Sequence, residues 1–149
     1  MKRLCSIAIL LVFILMCIPQ ITFARENYEY VYFEDGSYAV ITIHETALRA
    51  LNSKNGSRVY TYYNSDGVAQ WKAVLSATFT YNGSTSTCTS SGCNVTVFNS
   101  DWYTVSKTAG KSGNSSTADV TMGKKLLGIT VSKKTVHLSL SCDANGNLS

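Results

Sequence analysis

Proline is almost missing from this chain: Pro19 is the only one in 149 residues. Charge is also scarce, at 15% of residues against about 25% in average soluble proteins. An aromatic content of 11% nevertheless excludes a disordered chain. Thirteen basic residues face nine acidic ones. Without Lys2 and Arg3, which fall in a segment expected to be removed, the balance is 11 minus 9, or +2. So small an excess, spread along the chain, gives no basic stripe for nucleic acid and no electrostatic patch for a membrane. The length suits one domain with a core that needs no metal or disulfide.

The N-terminus reads as an export signal. Lys2 and Arg3 form a positive start, Leu4 to Ile18 is apolar apart from Cys5, Ser6 and Cys17, and Pro19-Gln20 breaks the run. Thr22-Phe23-Ala24 then offers the extended, small-residue exit that signal peptidase needs. Cleavage is expected after Ala24, leaving a signal peptide of residues 1–24 and a secreted domain of residues 25–149. The alternative is membrane anchoring by an uncleaved helix, because Leu4 to Phe23 reaches the roughly 20 residues that span a bilayer. Pro19, Gln20 and Thr22 count against it. Lipidation at Cys17 is disfavoured by the bulky Met16 before it.

Residues 25–149 hold 18 Ser and 15 Thr, no proline, and many Tyr, Val and Ile. This is a strand-forming composition. Tyr28 to Phe33 and Tyr38 to Ile43 alternate around the turn Glu34-Asp35-Gly36-Ser37 and predict a hairpin. Glu45 to Asn52 reads as a connector or short helical turn, and Lys54-Asn55-Gly56-Ser57 as a loop. Arg58 to Tyr63 and Val68 to Tyr81 predict strands flanking Asn64-Ser65-Asp66-Gly67. In the longer one Trp71, Ala73, Leu75, Ala77, Phe79 and Tyr81 share a face, which is the strongest period-2 signal in the chain. Beyond Asn82-Gly83 the pattern loosens into a Ser/Thr-rich loop holding Cys88 and Cys93. Short strands are expected at Val95 to Phe98, Trp102 to Lys107, Thr117 to Lys125, Ile129 to Lys133 and Val136 to Cys142, with a mobile turn at Lys111 to Ser116. Turn signals at this spacing predict an all-β fold: an antiparallel β-sandwich of about eight strands, Ig-like in general architecture.

Three cysteines remain after residue 24: Cys88, Cys93 and Cys142. An exported chain favours oxidation, and any pair leaves one thiol over. In the chain-entropy view the Cys88–Cys142 link stabilises by about 4 kcal/mol and the short Cys88–Cys93 ring by about 2 kcal/mol. That favours Cys88–Cys142, provided the two ends meet in space. Unpaired thiols are the remaining alternative, since the core is large enough alone.

The run FTYNGSTSTCT at Phe79 to Thr89, Trp71 upstream, SGN at Ser112 to Asn114 and the ending LSCDANGNLS at Leu140 to Ser149 resemble a group of short secreted proteins from Gram-positive, clostridia-like bacteria. The resemblance implies a secreted β-protein and no particular activity. Two of its recurring cysteines match Cys88 and Cys142, and Cys93 has no counterpart.

Motifs for chemistry are incomplete. His44-Glu45-Thr46-Ala47-Leu48 begins like a zinc-binding helix, but Leu48 stands where the second imidazole must be. Gly110-Lys111-Ser112 imitates the end of a phosphate loop whose first glycine is replaced by Val105. Asp143-Ala144-Asn145-Gly146-Asn147 has the first half of a calcium loop and lacks the later bidentate acid, so a tight turn is expected. No cofactor or metal is expected. A small secreted hydrolase built on His44 or His137 is a second alternative, without a nucleophile elbow to support it. Glu29, Glu34 and Asp35 cluster in one hairpin and read as surface charge. The aromatics offer more. Trp71 reads as core, while Trp102, Tyr103, Tyr60 and Tyr62 are candidates for a surface that stacks on sugar rings or anchors a protein. The expected role is therefore non-enzymatic: an interaction or cell-envelope-associated module. A carbohydrate- or cell-wall-binding domain is the first alternative, so the expected partner is a wall glycan or another protein.

Overall fold

The computed structural model describes residues 28–47 and 52–149. The export signal and its cleavage after Ala24 lie outside them, as does the middle of the expected Glu45–Asn52 connector. Among the described residues eight strands make two antiparallel sheets. The first contains β1 (Tyr28–Tyr32), β2 (Tyr38–Ala47), β3 (Ser53–Tyr63), β4 (Ala69–Tyr81) and β5 (Ser86–Val97), hydrogen-bonded in that order. The second contains β6 (Trp102–Ser112), β7 (Ser115–Leu126) and β8 (Ile129–Ser141). Together they form a β-sandwich, as the composition and period-2 patterning require. Every pairing within a sheet joins consecutive strands, and the link Phe98–Asp101 carries the chain from one sheet to the other.

The alternation along β4 decides the inner face. Trp71, Ala73, Leu75, Ala77 and Phe79 are buried, and Ala118, Val120, Met122, Leu138, Leu140 and Cys142 meet them from the second sheet. The alanines leave the room that large rings need: Trp71 is stacked between Tyr60 and Tyr62, with centroids at 5.3 and 5.5 Å, and Trp102 lies 6.1 Å away. Arg58 crosses between the layers, donating to the Ser139 carbonyl of β8 at 3.0 Å and to Glu29 of β1 at 3.2 Å. On the other flank Ser91 of β5 donates to the Gly110 carbonyl of β6 at 3.0 Å and its Oγ lies 2.7 Å from that of Ser116.

Several expected loops are strands. Lys54 to Ser57 pairs with both β2 and β4, and Glu45 to Ala47 extends β2 instead of turning into a helix. The Ser/Thr-rich stretch around Cys88 and Cys93 is β5, paired along β4 with one bulge at Thr78/Phe79. Lys111 to Ser116 contributes only Gly113 and Asn114 to its turn. Ile129 to Ser141 is one strand, not two. In each case the partner strand supplies a ladder of backbone hydrogen bonds, which overrides weak local propensity.

Candidate binding surface

Strand alternation places a second, outward set of side chains on the five-stranded sheet. At one end stand Tyr28, Tyr30 and Tyr32 of β1, all more than half exposed. Tyr30 and Tyr32 are stacked at 6.3 Å, Tyr32 meets Tyr38 at 5.9 Å, and Tyr38 lies parallel to Tyr63 at 4.9 Å. The result is a continuous row of four rings over β1, β2 and β3. It arises because register sets Tyr32 opposite Tyr38 and Tyr38 opposite Tyr63.

Toward the other end the outward residues become small and polar. A depression of about 400 Å³ is lined by His44, Asn55, Ser57, Ser76, Thr78 and Ser90, among others. Ser57, Ser76 and Gly92 are too short to fill it. Its polar groups are oriented: His44 Nε2 lies 2.8 Å from Thr42 Oγ1, and Thr78 donates to Asn55 Oδ1 at 2.8 Å. Tyr38 and His44 are six residues apart on β2, so the surface runs for about 20 Å at 3.3–3.4 Å per residue. Lys72 is the one formal charge on the outward positions of β2–β4 that register defines.

The structure corrects the aromatic residues picked from sequence. Tyr60, Tyr62 and Trp102 are buried in the core, because register turns them to the inner face. Burial and neighbouring Tyr62 push the Tyr60 hydroxyl up to about 12, so it stays neutral. Tyr103 is half-buried on the outer side of β6, with its hydroxyl 2.7 Å from Thr130 and Lys125 Nζ 4.6 Å above its ring. The exposed row was legible as the alternation of Tyr28, Tyr30 and Tyr32. Which face it occupied was not.

The remaining candidates are spread over the molecule. His137 and Asp119 face each other across β8 and β7, Nδ1 to Oδ1 2.8 Å, each about 60% exposed and open to bulk water. His44 belongs to the opposite sheet. Glu29 pairs with Arg58, and Asp35 caps its own turn through Ser37, whose two hydrogen bonds hold that carboxyl below the usual range. Asp143 accepts from Asn145 N, Asn147 N and Asn147 Nδ2 at 2.7–2.8 Å, so the calcium-like half-loop spends its carboxylate on a turn. Among the described residues no three His, Cys, Asp or Glu side chains converge, and no helix is long and apolar enough to cross a membrane.

The three cysteines among the described residues, Cys88, Cys93 and Cys142, are free thiols. Cys88 and Cys142 are buried on either side of one turn: Cys88 N–H donates to the Gly113 carbonyl at 2.8 Å and Cys142 N–H to the Asn114 carbonyl at 3.0 Å. Cys93 stands on β5 opposite Leu75, half-buried. Burial raises the pKa of Cys88 and of Cys93, the reverse of what a nucleophilic thiolate requires.

Comparison of the chain with protein-family models, curated proteins and solved structures returns no match.

Proposed function

We propose that this is a secreted, non-enzymatic binding module that takes a neutral glycan chain of the cell envelope along the outer face of its five-stranded sheet. The observation that carries this reading is the row Tyr30–Tyr32–Tyr38–Tyr63, four contacting rings on a sheet surface. Tyrosine rings present an apolar face for the C–H side of a sugar and a hydroxyl for its rim, at low entropic cost. The polar depression farther along β2–β5 supplies hydroxyl, amide and imidazole groups to the same chain. The shortage of charge on this face selects against polyanions.

Secretion follows from the residue 1–24 pattern, and an oxidising milieu joins Cys88 to Cys142 across the Gly113-Asn114 turn. Mass measurement of exported protein, with and without reductant before alkylation, reads both the start at Arg25 and the bridge.

The binding test is retention of exported protein on insoluble peptidoglycan, cellulose and chitin. Retention on at least one, lost in Tyr30→Ala/Tyr32→Ala, is the expected result. Failure of wild-type protein on all of them, or equal retention of the double variant, overturns the reading.

A further inference from the structure

The β7–β8 hairpin runs past the end of β6. The last β6 pairing on β7 is Trp102 with Lys124, and Lys125 N–H donates to the Asp101 carbonyl at 2.7 Å. Beyond that point β7 and β8 pair only with each other, down to Leu126 opposite Ile129. The tip carries Leu126, Leu127, Ile129 and Val131 with exposures of 62, 95, 70 and 55%. Four large apolar side chains on a two-residue turn and the strand ends beside it are a costly surface to leave in water. Leu127 also takes φ 51°, followed by Gly128 at 83°, a type I′ geometry in which Asn-Gly is the favoured pair. Local backbone preference therefore does not explain the leucine.

Charge around the tip is one-sided. Lys124, Lys125 and Lys133 are exposed close to the apolar residues, Lys125 lying level with Thr130 and 4.6 Å above the Tyr103 ring, with Asp101 at the hairpin's base. Lys134, one position deeper, is turned over the rings of Phe33 and Tyr62 at 4.0 and 4.8 Å. Linear counting spreads the lysines along the chain, but hairpin register gathers these three behind one apolar point. The same end of the sandwich exposes Val68 and Phe98 on neighbouring connections.

We infer that this tip is a membrane-docking site for an anionic lipid surface. Leu126, Leu127, Ile129 and Val131 enter the boundary between headgroups and acyl chains, and the lysines stay at phosphate level on their flexible stems. An apolar tip alone fits any hydrophobic partner. Apolar residues at a tip with lysines over the next few register positions fit a surface of hydrocarbon beneath negative charge.

The apolar run Leu4–Ile18 would carry a full-length chain onto vesicles by itself, so the readout must be local to the tip. Full-length Ile129→Trp reports there, against Ser84→Trp in the loop at the opposite end, with the native Trp71 and Trp102 buried as constant background. With phosphatidylcholine–phosphatidylglycerol vesicles carrying brominated acyl chains, emission from Ile129→Trp is expected to shift blue and be quenched, and that from Ser84→Trp to stay unchanged. Adding Leu127→Asn is expected to weaken tip insertion by about tenfold or more, the worth of one buried leucine. Adding Lys124→Gln and Lys133→Gln is expected to weaken it about fivefold or more on anionic vesicles, with little change on pure phosphatidylcholine. An unquenched tip, quenching equal to that of Ser84→Trp, or insertion indifferent to Leu127→Asn overturns the proposal. A tip that stays in water on vesicles and is covered only by an added protein overturns it too. Glycan retention through the other sheet is read separately, so either result stands without the other.

Discussion

Tyr38 and Tyr63 lie face to face across β2 and β3, with ring planes 7° apart and centroids 4.9 Å apart. This pair anchors the exposed row, since Tyr32 leans on Tyr38 and Tyr30 on Tyr32. Surface rings and core rings should therefore separate cleanly by mutation. Tyr32→Ala, at 74% exposure, should cost about 1 kcal/mol or less and reduce glycan retention. Tyr62→Ala, buried against Trp71 and Trp102, should cost about 3 kcal/mol or more. Paired urea melts and retention assays check both.

Acid should act on the turns before the core. Hydrogen bonds from Asn147 hold the Asp143 carboxyl below its ordinary value of 3.8, and those from Ser37 do the same for Asp35. A depressed folded-state pKa stabilises at every pH above the unfolded value and is lost as pH falls through the folded one. Thermal melts should thus be flat for these groups above about pH 5 and fall below pH 4. Asp143→Ala should lower the melting temperature at pH 6 and flatten the drop below pH 4. An unchanged acid slope would disprove the assignment.

Gly146 closes the C-terminal turn at φ 87°, and a Cβ there would meet the Tyr81 ring at 2.6 Å. Gly146→Ala must both strain the backbone and displace a ring. A cost of about 2 kcal/mol or more is expected from denaturant melts, because Gly146 is itself buried against that ring.

Burial orders the thiols. Cys93 is half-buried, whereas Cys88 and Cys142 are nearly inaccessible. Alkylation of reduced native protein, followed by peptide mass mapping, should label Cys93 first. The other two should follow only as the fold opens. Early labelling of Cys142 would contradict the packing of β8 against β4.

The sequence disclosed the sandwich through β4, where every apolar residue from Trp71 to Phe79 except Val74 falls on the inner face. It misread β5, because Ser, Thr and Gly at outward positions carry no alternation signal. Only pairing with β4 makes that stretch a strand. It also misplaced Tyr60 and Tyr62, since an alternating strand reveals two faces without saying which is covered. The lysine-flanked tip escaped for a different reason: Ile129 to Lys133 reads as an ordinary short strand until register carries its first residues beyond β6.

That overhang makes a prediction about stability as well as binding. Leu127 holds a left-handed conformation that costs an L-residue about 1 kcal/mol or more, and at 95% exposure its side chain gains almost nothing from packing. Asparagine tolerates that region and completes the Asn-Gly turn. Leu127→Asn should therefore raise the melting temperature, by a gain of several tenths to about 1 kcal/mol, in the absence of lipid. A residue that weakens the fold in water and strengthens attachment to vesicles is kept for the attachment. If Leu127→Asn instead lowers stability, the leucine belongs to the packing of the hairpin, and the tip loses its claim to a separate role.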